Sequence, residues 1–212
     1  IAPDVSWAPG DPNTLRKTSL SDAEVVGRGP FTPTTAVRGP PPAVRDAILD
    51  SGTSGSGVFI SYRRSDQRAF AGRIYDHLVA SFGESRVFMD VDSIELGLDF
   101  FDVINAALSQ CGVLIAIIGS GWLTAAGSTG ARRLDDPDDF VRLEIETALK
   151  RDVRVIPVLV EDARMPLRSD LPEAMAGLVR RQGITVSHAR FRSDVSALIT
   201  ALLAILQLDD PR

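Results

Sequence analysis

Val113-Leu114-Ile115-Ala116-Ile117-Ile118 is apolar at every position. A run of that kind reads as a strand covered on both faces, as in the middle of a parallel sheet. Working outward, Val58-Phe59-Ile60 and Val87-Phe88-Met89 are shorter strands of the same character on the N-terminal side. On the C-terminal side lie Val153 to Val160, with Pro157 ill-suited to a ladder, and Ile184-Thr185-Val186. Between them the period changes to that of helices. Gln67 to Phe82 places Phe70, Ile74, His77, Leu78 and Phe82 on one side, and Phe100 to Leu108 is a second helix. Asp139 to Lys150, Leu171 to Val179 and Ser193 to Leu206 complete the set.

Strict alternation of apolar strands with helices predicts an α/β fold with helices on both faces of a parallel sheet. Five strands with short right-handed crossovers point to a flavodoxin-like five-stranded parallel sheet in the order 2-1-3-4-5. Ligands of such sheets lie beyond the carboxyl ends of the strands, so the residues after each strand are the ones to read for function.

The chain has 212 residues, 44% hydrophobic and 24% charged, which is ordinary globular composition. Its organisation changes near residue 57. Eight of the thirteen prolines precede that point, and Gly52-Thr53-Ser54-Gly55-Ser56-Gly57 reads as a flexible linker. Residues 1–57 have almost no apolar periodicity and are expected to be largely irregular, either a tether or a docking arm. A short helix fits Ala43 to Leu49, where Val44, Ile48 and Leu49 share a face. Residues 58–212 form the folded domain.

The single cysteine, Cys111, excludes an internal disulfide and a multi-cysteine zinc site. With two histidines, His77 and His188, no dedicated metal site is expected. A net charge of −5 argues against a nucleic-acid binder. No apolar run has the length of a membrane span. The chain begins at Ile1 without a signal-peptide pattern, so the expectation is a cytoplasmic protein or one part of a longer polypeptide. The Gly-x-Gly-x-x-Gly turn, the P-loop and the Gly-x-Ser-x-Gly elbow are all missing.

The segments just after the strands are polar and specific. Ser61-Tyr62-Arg63-Arg64 closes the first strand with a basic cluster unlike the acids of a phospho-receiver. Arginine forks bind phosphate and tyrosine stacks on planar groups, although such arginines also pair with neighbouring acids. After the second strand, residues 90–100 form an acidic loop with Ile94, Leu96 and Leu98 exposed for interaction or folded back on the domain. After the third, Gly119-Ser120-Gly121-Trp122 turns tightly, with the indole at the pocket rim or packed inside.

The helix from Asp139 is the most informative. Asp138 or Asp139 caps it, and Val141, Ile145, Ala148 and Leu149 form its buried stripe. Glu146 has Arg142 four residues before it and Lys150 four after, the pattern of a solvated face with local ion pairs. Glu144 has no counter-charge within its helix and borders the buried stripe on the side of Phe140. A carboxylate so placed either awaits a cationic ligand or pairs with an arginine from another element, Arg63 or Arg64 included.

These residues resemble a known family. Val58-Phe59-Ile60-Ser61-Tyr62-Arg63-Arg64 is similar to the first box of Toll/interleukin-1 receptor (TIR) domains. Phe88-Met89-Asp90-Val91-Asp92, with Glu95-Leu96-Gly97 and Asp99-Phe100, resembles the second strand and BB loop of that family. Asp139-Phe140-Val141-Arg142-Leu143-Glu144-Ile145 is similar to the third-helix motif of its NAD-cleaving members, those of bacteria above all. The resemblance spans about residues 57–206. It implies cleavage of NAD+ to nicotinamide and an ADP-ribose product, linear or cyclic, with Glu144 as the catalytic carboxylate. By the same resemblance Tyr62, Arg63 and Arg64 flank the nucleotide, and Asp90, Glu95 and Phe100 shape the pocket and loop. Phe140 stands where such members often have Trp, which keeps a stacking ring but loses the indole N–H. NAD+ is then the substrate, and no cofactor or metal is needed. The family also implies homotypic self-association through the 90–100 loop into rings or filaments, a sensor domain or partner outside this chain, and a role in bacterial antiviral defence. Members that lack the glutamate are non-catalytic scaffolds for homotypic signalling, which is the alternative reading.

Overall fold

A computed structural model of the chain describes residues 55–89 and 100–208. The short helix expected at Ala43 to Leu49, and the loop positions Asp90, Ile94, Glu95, Leu96 and Leu98, lie outside these residues.

The strands are β1 (Gly57–Ser61), β2 (Val87–Met89), β3 (Cys111–Ile118), β4 (Arg154–Val160) and β5 (Ile184–Val186). The helices are α1 (Arg64–Phe82), α2 (Phe100–Ser109), α3 (Phe140–Lys150) and α4 (Phe191–Leu206). All strand pairs are parallel, and the sheet order is β2-β1-β3-β4-β5, as the alternation predicts. The longest apolar run, β3, pairs with β1 on one side and β4 on the other, which is why it carries no polar face.

Two hydrophobic cores flank the sheet. Leu114, Ala116 and Ile118 of β3 join Phe59, the buried residues of α2 and α3, and Trp122 on one face. Val113, Ile115 and Ile117 join Val58, Ile60 and the buried residues of α1 and α4 on the other. The strict two-residue alternation within β3 results from the pleat, which sends successive side chains to opposite faces.

Several elements differ from expectation for identifiable reasons. Helix α1 begins at Arg64, three residues early, with non-helical dihedrals at Gln67 (φ −127°, ψ 32°). Its first turn is polar, so apolar periodicity carries no signal there. The segment expected as a helix near Leu171 to Val179 is a 3-10 helix, Glu173–Arg180, entered through Pro172. Pro157 is tolerated because β5 starts opposite the next residue, Val158. The missing N–H therefore falls just before the β4–β5 ladder.

Candidate active site

The chain leaves β1 at Ser61 and turns into α1 through Arg63, which is only 2% exposed. Arg63 Nη1 donates to Asp139 Oδ2 at 2.9 Å and Nη2 to Asp139 Oδ1 at 3.0 Å. Asp139 is itself buried and is the N-cap of α3, accepting from the Arg142 backbone N–H at 3.1 Å. Arg133 reaches the same carboxylate, Nε to Oδ2, at 3.0 Å and remains partly exposed. One carboxylate thus ties the end of β1, the β3–α3 connection and the start of α3 together at the carboxyl edge of the sheet.

That geometry corrects the expectation for Arg63. Both terminal nitrogens of its fork are committed to Asp139, so Arg63 is a structural cation and not a phosphate anchor. Its neighbour Arg64 is exposed. Tyr62 is buried in the core shared with α1 and α4, so its ring is not a free stacking surface. Trp122 is 1% exposed and packs in the opposite core, which removes it from a pocket rim.

From the cap, α3 carries two aligned residues. Phe140, its first residue, is 39% exposed and lies against Phe100, the first residue of α2, with centroids 3.9 Å apart and planes tilted by 33°. Glu144 comes one turn later on the same helix face and is 8% exposed. Helical side chains lean toward the N-terminus, so the Glu144 carboxylate is directed toward the turn that begins with Phe140. Phe101, beside the aromatic pair, is half exposed. An aromatic surface above a nearly buried carboxylate can hold a flat, positively charged group.

Glu146 is also buried, contrary to the solvated face expected of it. Its predicted partners are nonetheless in place: Arg142 Nε donates at 2.7 Å and Lys150 Nζ at 3.4 Å. The two glutamates of α3 are therefore both shielded, and Glu146 is held by local ion pairs.

Asp66 escaped the sequence reading, although the tight turn at Gly119 did not. Asp66 Oδ1 accepts from the Gly121 backbone N–H at 3.1 Å, pinning the turn after β3 to the start of α1. A Cβ on Gly119 would run into Asp66 and Gln67, so the turn is closed tightly around that carboxylate. Among the described residues, Ser61 Oγ, Arg63 Nε, Asp66 Oδ2 and Trp122 Nε1 are buried without a hydrogen-bond partner, and all four belong to residues at or just after the ends of β1 and β3. Buried unsatisfied polar atoms are uncommon in folded proteins. Among the described residues no three His, Cys, Asp or Glu side chains come together as a metal set, and no helix is long and apolar enough to cross a membrane.

Comparison with known proteins adds a family. A family model described as "TIR domain" matches residues 58–199. NAD(+) hydrolase SARM1 of Danio rerio is 27% identical over 159 residues, covering 74% of this chain and 21% of that protein. NAD(+) hydrolase sarm1 of Drosophila melanogaster is 28% identical over 134 residues, covering 62% of this chain and 9% of that protein. The chain therefore spans about a fifth or less of the length of these curated relatives. Among solved structures, the TIR domains of the activated Roq1 resistosome share 17% identity with a TM-score of 0.47, covering 70% of this chain and 97% of that one.

Proposed function

The chain belongs to the TIR domain family, and from that premise we propose that it is an NAD+ glycohydrolase with Glu144 as its catalytic carboxylate. The observation that carries the reading is the position of Glu144, nearly buried, one turn below the exposed face of Phe140. The names of the two curated relatives support it.

The chemistry suits a single carboxylate. Most glycosidases need a second one to protonate the leaving oxygen. The nicotinamide of NAD+ is already a cationic pyridinium. When the ribosyl C1′–N bond breaks, the electron pair returns to the ring nitrogen and nicotinamide departs neutral, with no acid required. The positive charge passes to the ribose as an oxocarbenium, which Glu144 stabilises from a site where water screens little. Water then adds at C1′ and loses a proton, giving ADP-ribose. In the cyclising variant an adenine ring nitrogen takes the place of water. Phe140 and Phe100 supply the stacking surface, and exposed Arg64 and partly exposed Arg133 supply positive charge for the diphosphate.

Self-association through residues 90–100 belongs to the same proposal. Ile94, Leu96 and Leu98 of that acidic stretch, with exposed Phe101 just after it, supply apolar side chains suited to completing a neighbour's site in rings or filaments. Activity then rises with local concentration, under the control of a sensor domain or partner protein. A cytoplasmic setting and a bacterial-defence role complete the reading.

The test is nicotinamide release from NAD+ by the purified chain beside Glu144→Gln over a wide protein concentration range. The expected result is release that rises more than linearly with protein and falls roughly a hundredfold or more in the variant. Equal turnover by the variant removes Glu144 from the chemistry. No release from protein already assembled favours the non-catalytic scaffold.

A further inference from the structure

At the amino edge of the sheet, opposite the candidate active site, a groove of about 500 Å³ lies between the starts of β4 and β5 and helix α4. Unequal strand lengths create it. β4 starts at Arg154, whereas β5 starts at Ile184, opposite Val158, so Arg154 to Pro157 have no strand on that side. Gly183 comes in tight against the same strand, since a Cβ there would lie 2.8 Å from the Pro157 carbonyl oxygen.

The groove joins two kinds of surface. Ile156, Ile184 and Ile205, from three different elements, are half-buried at the rim of one core, and with Leu198 and Ala201 they form an apolar wall. Arg154, Arg180 and Arg181 border that wall, and all three are exposed. Among the described residues none of these guanidinium groups has a hydrogen-bond or ion-pair partner. Arg63, Arg133 and Arg142, at the other edge, each hold a carboxylate instead. None of the described residues lining the groove is acidic, although the whole chain carries a net charge of −5.

We infer that the groove binds a small phosphate monoester with an apolar body, the phosphate among the arginines and the body along the isoleucine wall. The lining disfavours other classes. A cation meets three positive charges. A sugar or nucleoside needs acceptors for its hydroxyl donors, and among the described lining side chains Gln182 alone offers one. A monocarboxylate brings one charge and two oxygens. A phosphate monoester brings a charge of about −1.5 to −2 near neutral pH and three oxygens, a closer match to three guanidinium forks. The volume lies within the range of small-molecule sites, about 300–1,000 Å³. Because the groove and Glu144 lie toward opposite edges of the sheet, this ligand is distinct from a substrate, and the inference stands or falls independently of hydrolase activity.

Isothermal titration calorimetry of the full 212-residue chain with octyl phosphate, at about 0.15 M salt, tests it. One site with a Kd below about 1 mM is expected, with octanol and inorganic phosphate each binding at least about tenfold more weakly. Arg180→Gln with Arg181→Gln is expected to weaken octyl phosphate by at least about tenfold, the scale of lost hydrogen bonds to a charged group. Ala201→Trp, which fills the groove from its exposed wall and keeps every charge, is expected to do the same. Unchanged melting temperatures check that both variants fold. Arg68→Gln with Arg192→Gln is the control. Both residues are exposed and without an ion-pair partner among the described residues, and Arg192 lies nine residues, about 14 Å of helix, from Ala201. That exceeds the Debye length of about 8 Å, so the control is expected to bind like wild type. No binding, or a loss in the control equal to that in the groove variants, overturns the inference. Binding to phosphatidic acid vesicles without binding of soluble octyl phosphate overturns it in favour of a membrane surface. Self-association that Ala201→Trp abolishes, read by analytical ultracentrifugation, overturns it in favour of a second copy.

Discussion

Arg63 and Asp139 are 76 positions apart in the chain and meet as a bidentate ion pair, 2.9 and 3.0 Å, with both side chains 1% exposed. This pair fixes the end of β1 to the cap of α3, the helix that carries Glu144. A buried fork–carboxylate pair owes its geometry to two parallel hydrogen bonds, and removing one partner strands the other charge in a low-dielectric site. Arg63→Ala or Asp139→Ala should therefore cost about 3–5 kcal/mol in urea unfolding. Arg63→Lys keeps the charge but not the fork and should recover part of it. A loss below about 1 kcal/mol in Arg63→Ala would mean that the pair does not anchor α3.

The aromatic pair offers a separation of binding from chemistry. If Phe140 stacks on a flat ring of the substrate, Phe140→Ala should raise KM for NAD+ about tenfold, in line with roughly 1–3 kcal/mol for stacking on an aromatic side chain. Phe140→Trp should keep KM at or below the wild-type value. Steady-state kinetics of the two variants decide it. A fall in kcat alone, with KM unmoved, would place Phe140 in positioning Glu144 and not in binding the ring.

How much of this was legible in the chain depends on the range of the interactions. The strand order was readable because β3 and β1 are apolar at successive positions and the helices between them are periodic. The burial of Glu144 was readable because it borders the apolar stripe of its own helix. The cap at Asp139 was a local signal and is present. Its bond to Arg63 was not readable, since nothing within either segment records a partner 76 residues away. Trp122 and Tyr62 sit in polar or glycine-rich turns, yet the chain folds both inward. For Glu146 the ion pairs were right and the exposure wrong, because i±4 partners shield a carboxylate as readily inside a shallow layer as on a solvated face.

Cys111 is buried, its sulfur 3.2 Å from the Ala107 carbonyl oxygen, and desolvation pushes its thiol well above the ordinary range. Thiolate is the reactive species, so alkylation by iodoacetamide at about pH 8 should be negligible in the native protein and rapid in urea. Mass spectrometry of the labelled protein measures both. Fast native labelling would show that the edge of β3 opens locally, because global unfolding alone should expose this sulfur.

The acid limb of stability has an identifiable contributor in Asp194. Its carboxylate accepts from the Ser187 backbone N–H at 2.9 Å and the Ser187 hydroxyl at 3.0 Å, with Arg190 3.6 Å away. The backbone hydrogen bond, more than the hydroxyl bond and the Arg190 charge, holds its pKa below the ordinary carboxylate value. A depressed folded-state pKa means that the unfolded chain binds the proton more readily. The stabilisation is therefore complete above the unfolded pKa, about 3.9, and disappears as pH falls through the lower folded value. Asp194→Asn should accordingly melt below wild type at about pH 7, and the gap should narrow as the pH drops under about 4. A gap of constant size from about pH 7 to about pH 3 would mean that the β5–α4 turn depends on the shape of this side chain and not on its charge.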